Sequence, residues 1–79
     1  MSERMLKAAL TEAGIVRPLT RRAHIFCNIA LKVYATGNEK RGKEIYDLAI
    51  EAATNIRQYS LRDKVFEDLG MAMNVVQGL

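Results

Sequence analysis

Residues 23–49 read AHIFCNIALKVYATGNEKRGKEIYDLA, and the apolar spacing on either side of the Thr36-Gly37-Asn38 break decides the fold. Before the break, Ile25, Phe26, Ile29 and Val33 recur at intervals of mostly three and four, the period of a helix with one apolar face. After it, Asn38 is placed to cap a further helix whose inward face reads Gly42, Ile45, Ala49, Ala52 and Ile56, flanked by Tyr46, Ile50 and Ala53. Working outward, Ser2 with Glu3 behind it caps a first helix, and Gly14 closes that helix near Ala13. Pro18 falls in the connector and Thr20 caps the helix that holds Phe26. Ser60-Leu61-Arg62-Asp63 has the form of a capping box and opens a fourth helix through Val65, Phe66, Leu69, Met73 and Val76. No segment alternates with period two. The expectation is an all-α fold of four antiparallel helices, with residues 1–79 as one domain.

The helices repeat. Displacing the chain by 40 residues pairs Ala9 with Ala49, Ala13 with Ala53, Arg17 with Arg57, Arg22 with Arg62 and Phe26 with Phe66. The same shift pairs Val16 with Ile56, Thr20 with Ser60, Ile29 with Leu69 and Ala30 with Gly70. Caps, aromatics and small residues keep their order, as a helical-hairpin repeat requires. Residues 23–49 resemble the tetratricopeptide repeat. Phe26 stands at its large aromatic, Ile29-Ala30 at its Leu-Gly, and Gly42, Tyr46 and Ala49 at its small, aromatic and small positions. The period is longer than that family's usual one, and Thr54 replaces the Pro that follows the second helix. The resemblance implies about one and a half to two hairpins. It also implies a partner groove on the first helix of each hairpin, here His24, Cys27, Leu31 and Tyr34, then Lys64, Glu67, Met71 and Asn74. The Lys and Asn set that clamps a terminal carboxylate in some members is not reproduced, which favours a helix or an extended peptide as the occupant.

Composition narrows the remaining classes. With 79 residues, 49% hydrophobic and 27% charged, the chain has the balance of one small domain whose core is thin without a partner. Residues 1–43 carry nine basic and three acidic side chains, whereas residues 44–79 carry three basic and six acidic ones. Complementary halves of this kind attract one another, and the acidic half opposes a purely nucleic-acid reading. The single cysteine excludes an intramolecular disulfide, and no apolar run approaches a membrane span, so a cytoplasmic chain with no membrane partner is expected.

Chemistry has few candidates. His24 and Cys27, three apart on one helix, could supply two metal ligands, but two more would have to come from a second chain. No third group orients His24 and no Gly-rich loop cradles a phosphate, so no catalysis, metal or cofactor is expected. The apolar residues Met71, Met73, Val75, Val76 and Leu79 spread around the fourth helix and point to self-association as a homodimer. Arg17, Arg21 and Arg22 are the candidate anion or nucleic-acid contacts. The sequence therefore reads as a small non-enzymatic protein–protein interaction module, an adaptor or regulator. The alternative is a small basic helical regulator that binds nucleic acid through the Arg17–Arg22 region.

Overall fold

A computed structural model describes residues 2–76. It contains four helices: α1 (Glu3–Ala13), α2 (Leu19–Ala35), α3 (Glu39–Thr54) and α4 (Tyr59–Val76). The fold is all-α.

Local chemistry accounts for most of the boundaries. The Ser2 hydroxyl accepts a hydrogen bond from the Met5 amide at 3.2 Å, and the Asn38 Oδ1 accepts one from the Arg41 amide at 3.1 Å. Each satisfies an amide that the first helical turn leaves free. Between α2 and α3 the Thr36 hydroxyl donates to the Val33 carbonyl at 2.7 Å, and Gly37 follows at φ +90°. That dihedral lies in the left-handed region, where a side chain is strained, so a glycine ends this turn. Two expected caps lie elsewhere. α2 starts at Leu19 behind Pro18, with no side-chain cap bond, so Thr20 is its second residue. Proline at this boundary presets the backbone entering the helix, and no hydroxyl is required. Likewise α4 starts at Tyr59, which places Ser60 inside the helix rather than at its cap.

α2 packs against each of the other three helices, most extensively against α3. The α2–α3 pair is an antiparallel hairpin closed by small residues: Ala30 and Ala49 are fully buried, and Gly42 lies under Tyr34. α4 joins through the buried Val65, Leu69 and Met73, and Val65 and Leu69 share one apolar core with Ala53 of α3 and the following Ile56. α1 contributes Leu6 and Ala13 to the same core. α2 and α4 begin 40 residues apart, and the register pairs Ile29 with Leu69 and Val33 with Met73, all four buried. The molecule is a slab of 35 × 31 × 13 Å. α2, α3 and α4 each contact the other two and enclose a shared apolar core, to which α1 is added through α2.

Gly42 tests the close approach. A Cβ there would lie 2.8 Å from Tyr34 Cδ2 and 3.0 Å from its Cγ, too near the root of the ring for a small rotation to relieve. Alanine normally gains about 1 kcal/mol over glycine inside a helix. Here overpacking outweighs it, and Gly42→Ala is expected to destabilise by about 1–2 kcal/mol in urea unfolding. In a Tyr34→Ala background the same change becomes stabilising.

Candidate functional site

Three surfaces carry the groups singled out by the sequence. On α4, Met71 and Val75 are 61% and 80% exposed. Met73 is not: it lies four residues after Leu69 on the core stripe and is buried, so it belongs to the interior and not to a self-association face. Leu79 and the Val76 side chain fall outside the described residues. Towards the end of α4, the exposed apolar side chains that can be described are therefore Met71 and Val75, with Tyr59 and Leu61 exposed at its start.

The second surface is the junction of α2 and α4. His24 Nε2 stands 3.5 Å from Asp68 Oδ2, and Lys64 Nζ stands 3.7 Å from Asp68 Oδ1. This half-exposed cluster ties the two helices at their edge, and such pairs contribute at most about 1 kcal/mol each. Glu67 and Asn74 are exposed, whereas Leu31 and Tyr34 are half-buried, Leu31 against the core and Tyr34 against Gly42. Cys27 is 3% exposed and departs from the groove reading. It faces inward beside Ala30 and Tyr46, because the α3-facing side of α2 extends one position further round than the His24–Cys27 spacing suggests. Burial raises the Cys27 thiol above its ordinary 9.0, and burial first, then nearby Cys27, Tyr34 and Asp47, raises the Tyr46 phenol above 10.0. A protonated, enclosed thiol is a poor nucleophile. Among the described residues no three His, Cys, Asp or Glu side chains stand together to hold a metal ion.

The third surface lies where the α1–α2 and α3–α4 connectors run beside each other. Pro18, Leu19, Ile56 and Leu61 wall an open cleft of about 370 Å³, with Arg57 and Gln58 at its rim. Arg17 and Arg21 flank it in sequence and are exposed. Arg22 is separated from them in role: half-buried, it donates from Nε to the Val16 carbonyl at 3.0 Å and pins the connector to α2. Arg62 lies over the exposed Tyr59 ring, 4.7 Å from its centroid. Sequence reading missed Arg57 and Leu61 as surface features of one site. The 40-residue shift that pairs Arg17 with Arg57 held the signal, because the connectors that precede α2 and α4 meet at one edge.

No helix among the described residues is long and apolar enough to cross a membrane. Protein-family models, curated proteins and solved structures yield no match to this chain.

The raised thiol has a pH consequence. A folded state that holds its proton more tightly than the unfolded chain is favoured below about pH 9 and loses that advantage as pH rises through the folded value. The urea midpoint is expected to fall as pH rises above about 9, and to fall less in Cys27→Ala. Thiol reagents at neutral pH should label the native chain far more slowly than the unfolded one.

Proposed function

We propose that this chain is a non-enzymatic, tetratricopeptide-like protein–protein interaction module that self-associates through α4. The observation that carries this reading is the pair Met71 and Val75, two apolar side chains more than half exposed on a helix whose opposite stripe is fully used in the core. Exposed apolar groups of this kind on so thin a domain mark a contact surface, and methionine adapts to a partner without demanding one shape. The hairpin α2–α3 with its small residues at Ala30, Gly42 and Ala49, and the 40-residue spacing of α2 and α4, support the repeat reading. The buried, protonated Cys27 supports a non-enzymatic one, since the Cys–His pair was the nearest approach to a nucleophilic site. A partner peptide would meet the α2–α4 face through Glu67, Met71 and Asn74, with His24 and Lys64 at its edge.

The alternative, nucleic-acid binding, rests on Arg17 and Arg21, because the Arg22 Nε is engaged by Val16. Titration with duplex and single-stranded DNA at low salt tests it, and absence of binding there removes it.

Sedimentation of the intact chain at tens of micromolar tests self-association. A dimer is expected, returning to monomer in Met71→Glu and Val75→Glu without loss of helical circular dichroism, because neither side chain is in the core. A strict monomer for the unaltered chain contradicts the proposal.

A further inference from the structure

We propose that the cleft between the two connectors binds an acidic peptide segment of a partner protein. An apolar side chain of the segment enters the cleft, and flanking carboxylates meet Arg17, Arg21 and Arg57. The site is separate from the Met71–Val75 surface and stands or falls independently of self-association.

Shape and charge agree on this occupant. The cleft, about 370 Å³, is near the lower end of ligand-site volumes of roughly 300–1,000 Å³ and is open along one side. It suits a side chain presented by a peptide better than an enclosed small molecule. Its walls are apolar (Pro18, Leu19, Ile56 and Leu61), and no carboxylate lines it. Among the described residues, Arg17, Arg21 and Arg57 form no ion pair with an acidic side chain. Arg57 on the lining, with the exposed Arg17 and Arg21 next in sequence to the lining residues Pro18 and Thr20, complements a segment that alternates acid and hydrophobe. Both α2 and α4 begin at this edge, and their amide ends add to the positive field already set by the arginines.

The same charges disfavour a polynucleotide. A nucleic-acid strand needs cations along a run of successive phosphates. Beyond its first turn α4 presents Asp63, Glu67 and Asp68, which end the basic track close to the cleft. A short acidic segment needs only the arginines at the rim.

Fluorescence anisotropy of the intact chain with labelled Asp-Glu-Leu-Phe-Asp-Glu at low salt tests the proposal. Saturable binding is expected. Arg57→Glu and Leu61→Asp should each weaken it by about tenfold or more, as loss of a charge-assisted contact or of the apolar wall predicts. Arg57→Gln should give an intermediate loss, and Lys43→Glu, near the start of α3 at the opposite end of the hairpin, should change affinity less than about twofold. Asn-Gln-Leu-Phe-Asn-Gln and Asp-Glu-Ser-Ser-Asp-Glu should both bind at least about tenfold more weakly than the probe. Circular dichroism confirms that each variant is folded. The proposal is overturned by absence of saturable binding, or by binding that survives Arg57→Glu and Leu61→Asp. It is also overturned if a twenty-nucleotide oligothymidylate binds more tightly and displaces the peptide through Arg57.

Discussion

The distance between α2 and α3 is the constraint on which the rest of the structure depends. Where Tyr34 crosses α3, the residue beneath it has no side chain, and a Cβ would come within 2.8 Å of the ring. Ala30 and Ala49, both fully buried, keep the two backbones close along the remaining length. Short side chains contribute little apolar area each, so this hairpin is stabilised by contact density more than by large hydrophobes. Ile45, wholly enclosed, and Phe26 fill what the small residues leave. Once the hairpin is set, α2 offers further faces, and α1 and α4 are placed by them.

With only four helices, α2 alone packs on all the others, and α1, α3 and α4 have few neighbours to hide behind. The outcome is a core that runs as a ribbon through the plane of the molecule, from Leu6 and Ala13 through α2 to Leu69. Among the described residues two ion pairs join different helices, Arg41 to Glu3 at 3.9 Å and His24 to Asp68 at 3.5 Å, while Arg41–Glu44 and Lys64–Asp68 lie within α3 and α4. These pairs are half-exposed and weak, so they select helix orientation more than they supply stability. The fold thus puts its stability in the ribbon and leaves its edges chemically varied, apolar along α4 and basic at the connectors.

Much of this was legible in the residues. Period, turn chemistry and small-residue placement gave the four helices, the Ser2 and Asn38 caps and the inward face of α3. Caps at Thr20 and Ser60 were misplaced because both helices begin earlier, one behind Pro18, where no hydroxyl is needed. Met73 carried two signals. Its spacing from Val65 and Leu69 placed it in the core stripe, while its neighbours Met71 and Val75 placed it on a surface; spacing prevailed. Cys27 shows the limit more sharply. Its three-residue offset from His24 suggested a shared face, yet a helix face is as wide as the neighbour that covers it, and Tyr46 reaches round to Cys27. The connector cleft was legible only as the pairing of Arg17 with Arg57, because its walls come from residues roughly 40 apart in sequence that meet only in the fold.

If α2 and its contact with α3 organise the molecule, local stability must be graded outward from them. Native-state hydrogen exchange resolved by residue measures this directly. Amides of α2 from Ala23 to Val33 and of α3 from Ile45 to Ala53 should exchange only through global unfolding. Those of α1, which has two buried residues and packs chiefly on α2, should open at a lower free energy. Amides of α1 exchanging as slowly as those of α2, or α2 opening before α4, would contradict the account.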